Sequence, residues 1–112
     1  MSKNLYAGFF TGAAGSGLGL FLIGDGIIAG ADAGGVQYDG TLVENLDGSL
    51  EGVIKYVVHP DVMIVTGTQV TQRSEVVFPL KLPAEALQGQ IVLIKTPFGI
   101  VNARFELIRE NV

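Results

Sequence analysis

The sequence predicts an all-β fold, a small antiparallel eight-stranded barrel forming a single domain over residues 1–112. Three observations carry this expectation. Apolar and polar residues alternate with a period of two over most of the chain. Turn-forming dipeptides such as Asp25-Gly26 and Asp47-Gly48 punctuate the alternating runs. Only one stretch, PAEALQG at 83–89, reads as helical, for about a turn. Closing the sheet on itself is the common way for so many short antiparallel strands to hide their edges.

Taken in order, LYAGFF opens the chain as a strand, and GLGLFLI and IIAGAD form a hairpin around Asp25-Gly26, a pair suited to positive φ. VQYDGTLVE follows, then the Asp47-Gly48 turn, then SLEGVIKYVVH. In that strand Leu50, Gly52, Ile54, Tyr56 and Val58 face one way, and Glu51, Val53, Lys55 and Val57 the other. Pro60-Asp61 breaks the run, and DVMIVTGTQ beyond it reads either as a short strand or as an irregular crossing. EVVFPLKLP places Val76, Phe78, Leu80 and Leu82 on one face. Pro79 has no N–H for a ladder, so this strand is expected to carry a bulge or lie at a seam. QIVLIKTPFG and IVNARFELIRE complete the sheet, the latter alternating Val101, Ala103, Phe105 and Leu107 against Asn102, Arg104 and Glu106.

TGAAGSGLG, at 11–19, imitates several functional motifs. Against the nucleotide-binding pattern T-G-x-x-x-G-x-G, Ser16 and Leu18 stand where glycines are needed. Against a P-loop, Gly12 and Gly17 have the right spacing, but Leu18 replaces the lysine. Both motifs also need a helix N-terminus aimed at phosphate, and the glycines at 24, 26 and 30 would break such a helix. Residues 4–24 are uncharged and long enough to span a bilayer. As a helix in water, however, the glycines between 8 and 19 would cost about 1 kcal/mol each relative to alanine. Their interruption of the apolar run also argues against a signal peptide cleaved after Ala31-Asp32-Ala33. The β reading is simpler. Gly15, Gly17 and Gly19 share one face of a strand and Leu18, Leu20 and Leu22 the other, so a neighbouring backbone can come close and the strand can coil.

Composition closes off most chemistry. A net charge of −4 with no basic stripe gives nothing to hold a phosphate backbone, so nucleic acid is not an expected partner. The chain has no cysteine and a single histidine, which removes disulfides, thiolate sites and multi-histidine metal centres. No aromatic girdle marks an outer-membrane barrel: tryptophan is absent. His59 reads as a rim residue, and Ser2, Ser16, Ser49 and Ser74 lack a nucleophile elbow. Asp32 and Asp39 could meet across neighbouring strands as a carboxylate pair, although Asp32 reads more simply as a turn residue holding backbone amides. No catalytic residue, cofactor or metal is expected, and the chain is expected to be no enzyme.

The order of these features resembles the GrlR family, small regulators named for a negative regulator of type III secretion. The resemblance covers nearly the whole chain and is clearest over 5–59. It rests on Leu5-Tyr6 and Phe9, the glycine-rich run before Leu18, Asp25-Gly26, Gly30-Ala31-Asp32 in place of Gly-Gly-Asp, Tyr38-Asp39-Gly40, and His59. It implies a lipocalin-like barrel that forms homodimers in the cytoplasm. It also implies an acidic partner-binding loop at Glu44, Asn45, Leu46 and Asp47, where two of the four acids are retained. The functional expectation is a dimeric regulatory interaction module that contacts another protein. The alternative is a lipocalin-like binder of a small apolar ligand, since eight strands can be filled by side chains or can enclose one small molecule.

Overall fold

The computed structural model describes residues 3–60 and 72–112. The segment DVMIVTGTQ lies outside them. Eight strands form one antiparallel sheet: β1 (Lys3–Gly12), β2 (Gly15–Gly24), β3 (Ile27–Asp32), β4 (Gln37–Glu44), β5 (Leu50–Val58), β6 (Ser74–Leu82), β7 (Val92–Thr96) and β8 (Gly99–Arg109). The strand order is β6-β5-β4-β3-β2-β1-β8-β7, so the sheet curls into a nearly closed barrel with its seam between β6 and β7. A single 3-10 turn, Ala84–Gln88, crosses that seam at one end and buries Ala86. No helix among the described residues is long and apolar enough to cross a membrane.

The connections follow the local chemistry. Asp25 (φ 52°) and Gly26 (φ 81°) both take positive φ, the signature of a type I′ hairpin. The second turn differs in kind: only Gly48 is left-handed there, and its N–H donates to the Asn45 carbonyl across a four-residue loop. The TGAA stretch supplies a further hairpin, since Gly12 pairs with Gly15 around Ala13-Ala14. The chain ends are tied together, the Val112 N–H donating to the Lys3 carbonyl at 2.8 Å.

The glycine face of β2 points inward, because Phe21 and Ile23 share its parity and are both buried. The Phe21 ring then lies flat on the barrel wall. A Cβ on Gly8 would sit 2.7 Å from the ring, one on Gly19 2.9 Å, and one on Gly30 2.7 Å. These three glycines come from β1, β2 and β3, with Gly8 paired to Gly19 and Gly30 paired to Phe21. An aromatic string continues from this point. Phe21 packs on Phe10, Phe105 and Tyr38 at centroid distances of 5.6, 5.6 and 5.1 Å, and Tyr38 passes the contact to Tyr56 and Phe78.

Pro79 sits where its missing donor does no harm. A Cβ on Gly40 would lie 2.4 Å from the Val53 carbonyl oxygen, so that carbonyl is aimed at β4. The N–H and C=O of one strand residue point to the same side. Val53 therefore spends both on β4, its pairing with Pro79 is the non-hydrogen-bonded kind, and the Pro79 nitrogen faces the seam.

These contacts separate two kinds of glycine. The Cβ of Gly8→Ala would first meet ring carbons of Phe21 and Phe10, whereas that of Gly30→Ala would meet the Leu20 carbonyl oxygen at 2.3 Å. Both substitutions should destabilise by about 1–3 kcal/mol through overpacking. In a Phe21→Leu background, chemical denaturation should find the Gly8→Ala cost much reduced and the Gly30→Ala cost largely unchanged.

Candidate functional site

The barrel interior is the first place to look for a ligand, and side chains fill it. Phe10, Phe21, Tyr38, Tyr56, Phe78 and Phe105 converge around a residual cavity of about 30 Å³. That volume suits about one water molecule and is far below the roughly 300–1,000 Å³ of ordinary ligand pockets.

Among the described residues a polar cluster lies inside the barrel at the end near the β3–β4 turn. Asp32 accepts the Val36 amide on one carboxylate oxygen at 3.0 Å and the Tyr38 hydroxyl on the other at 2.6 Å. It thus braces the turn it begins, as its position in sequence implies. Asp39 does not join it. Asp39 pairs with Ala29 and so projects from the outer face, whereas Asp32 has the parity of the inward-facing Gly30, and the two carboxylates lie on opposite faces of the sheet. Burial pushes the Tyr38 phenol well above the usual tyrosine range, with Tyr56 and then Asp32 adding to it. Burial likewise pushes Tyr56 up to about 12, the Asp32 carboxylate adding to it and the Tyr38 hydrogen bond opposing.

The 44–47 loop is a hairpin that uses its polar groups on itself. The Asp47 carboxylate accepts the Ser49 amide at 2.9 Å and the Ser49 hydroxyl at 2.6 Å. Those bonds hold its carboxyl below the usual carboxylate range. The Asn45 side-chain amide donates to Ser49 Oγ and to Glu51 Oε1. Glu44 and Leu46 remain pointed at solvent, Leu46 fully exposed at the tip. His59 is exposed beside Pro60. Among the described residues no three His, Cys, Asp or Glu side chains are grouped to hold a metal ion.

The feature that sequence reading passed over is the outside of β1, β2 and β3. Register aligns it in rows: Leu5–Leu22–Ala29, Ala7–Leu20–Ala31, and Phe9–Leu18. No charged side chain interrupts these rows. Leu18 and Leu20 are 46% and 53% exposed. Charge returns only at the margins. Arg104, paired with Glu106 on β8, stacks 4.6 Å from the centroid of Phe9, and Asp39 stands beside Ala29 on β4. The signal was present in sequence: Phe21 and Ile23 share parity with Gly17 and Gly19, which sends Leu18, Leu20 and Leu22 outward.

The buried phenols set an alkaline limit. A phenol whose pKa is raised on folding keeps its proton longer in the native state. Its contribution is therefore intact below the ordinary value of 10.0 and is lost as pH climbs toward 12. Urea titrations should show stability falling from about pH 10 upward, and Tyr56→Phe should flatten that fall by up to about 2–3 kcal/mol. An unchanged slope in the variant would place the alkaline sensitivity elsewhere. Compared with known protein families, curated proteins and solved structures, the chain matches none.

Proposed function

We propose that the protein is a non-enzymatic regulatory interaction module of the GrlR-like kind, working as a cytoplasmic homodimer. The observation that carries this reading is the apolar outer face of β1, β2 and β3, whose rows from Leu5 to Phe9 carry no charged side chain. Monomeric soluble proteins seldom leave a contiguous apolar patch bare. A two-fold interface must be complementary to itself, and an uncharged face of small and leucine side chains meets that condition without opposing like charges. With the two-fold axis along the strands, the β8 margin of one copy lies over the β4 margin of the other. Arg109, which stands in one row with Leu5, Leu22, Ala29 and Asp39, then lies level with the partner's Asp39.

The filled centre of the barrel, with a cavity of about 30 Å³, supports this reading over carriage of a small apolar ligand there. The 44–47 loop is a candidate contact for a further protein, through the solvent-facing Glu44 and Leu46 beside the self-bonded Asn45 and Asp47.

Sedimentation velocity should find a species of twice the 11.8 kDa chain mass. Leu20→Glu should leave the circular dichroism spectrum intact, since the side chain points outward, and weaken association about 30-fold or more. A wild-type chain still monomeric at concentrations on the order of 100 μM would overturn the dimer.

A further inference from the structure

Among the described residues the sheet ends in two unpaired edges, β6 and β7, and they border a groove of about 600 Å³ lined by Gly52, Val53, Pro79, Lys81, Leu93 and Lys95 among others. Among the described residues no backbone hydrogen bond joins the two strands. The edges differ in what they offer. On β6 the residues whose backbone groups face the seam include Pro79, which supplies no donor, so that edge is blunted. β7 has no proline between Val92 and Thr96. Its hairpin to β8 closes at the Thr96–Gly99 pair, which turns the backbone of Thr96, Ile94 and Val92 toward β8. Alternation then leaves the amide and carbonyl groups of Leu93 and Lys95 facing the seam.

The side chains around this edge form a pattern as well. On the outer side Leu93, 66% exposed, and Val53 stand with Lys81 and Lys95. Of the chain's seven lysines and arginines, Lys3, Arg73 and Arg104 are ion-paired, whereas Lys55, Lys81, Lys95 and Arg109 have no ion pair among the described residues. Glu51, opposite Lys81 by register, lines the same groove and accepts from the Asn45 amide, so the margin carries two lysines against one acid. A chain of net charge −4 thus presents a locally cationic margin beside its one unblunted strand edge.

We propose that this seam is a strand-addition site for an extended acidic segment of a partner protein. The segment pairs its backbone with Leu93 and Lys95 on β7. It turns apolar side chains inward toward Leu80 and Ile94, and acidic ones outward toward Lys81 and Lys95. Main-chain bonding supplies affinity in this mode and the alternate side chains supply selectivity. A second copy of the chain fits the edge poorly, because pairing seam to seam would set lysine margin against lysine margin.

The proposal rests on the reading of the protein as an interaction module, but on a different face from the dimer surface, so the two can fail separately. The test uses the labelled heptapeptide Thr-Glu-Val-Glu-Val-Glu-Thr and its counterpart with lysine at each glutamate position, titrated into the full chain. The glutamate peptide should bind saturably, roughly tenfold or more tighter than the lysine peptide. Added salt should narrow that gap. Hydrogen exchange should show the Leu93 and Lys95 amides gaining protection. The double variant Lys81→Glu, Lys95→Glu should reverse the preference, and Leu20→Glu should leave it unchanged. Equal binding of the two peptides, binding without protection of those two amides, or no binding at millimolar peptide would each overturn the proposal.

Discussion

One contact organises the molecule: the Phe21 ring laid against a wall made thin by Gly8, Gly19 and Gly30. A small barrel must fill its axis with side chains or leave a void, and an aromatic ring lying flat needs backbone without Cβ atoms beneath it. Three neighbouring strands supply that surface at aligned positions. Phe10, Phe105 and Tyr38 then close edge-on around the ring, and the interior is spent. The same parity that brings Phe21 inward sends Leu18, Leu20 and Leu22 outward. Filling the inside and baring an apolar outside are one decision of register.

That link shifts attention from cavity to surface. The polar groups within the barrel serve the fold, Asp32 holding its turn and the two tyrosines kept neutral by burial. The polar groups of the 44–47 hairpin are likewise turned inward on the hairpin. Among the described residues, the outer sheet face, the seam and the barrel mouth beside Tyr6, Ile23 and Leu42 are open to other molecules.

Much of the architecture was legible. Period-two alternation located β5, β6 and β8 to within about a residue, Asp25-Gly26 marked a true type I′ turn, and Pro79 announced the seam because a residue without an N–H belongs where no partner strand waits. The outer face was harder to read. In β2 one parity begins with glycine and the other is leucine, so hydrophobicity alone points the leucines inward. The deciding residues are Phe21 and Ile23, whose bulk outweighs the leading glycines. Asp32 and Asp39 show a similar limit: seven positions apart and on adjacent strands, they looked able to meet, but the length of the β3–β4 turn gives them opposite parity. Turn length is set by backbone conformation at Gly35, which residue type alone leaves undetermined.

The sheet is a ribbon whose two long edges are joined by a short tether, and its covalent ends meet at the β1–β8 pair, one strand in from the β7 edge, where Val112 bonds back to Lys3. A barrel whose termini flanked its seam could be pried apart by pulling on them. Here tension on the termini loads the β1–β8 pair first, with β7 standing between that pair and the gap. Joining the two ends and cutting the chain within Ala84–Gln88 would turn the same barrel into one with both free edges at its termini.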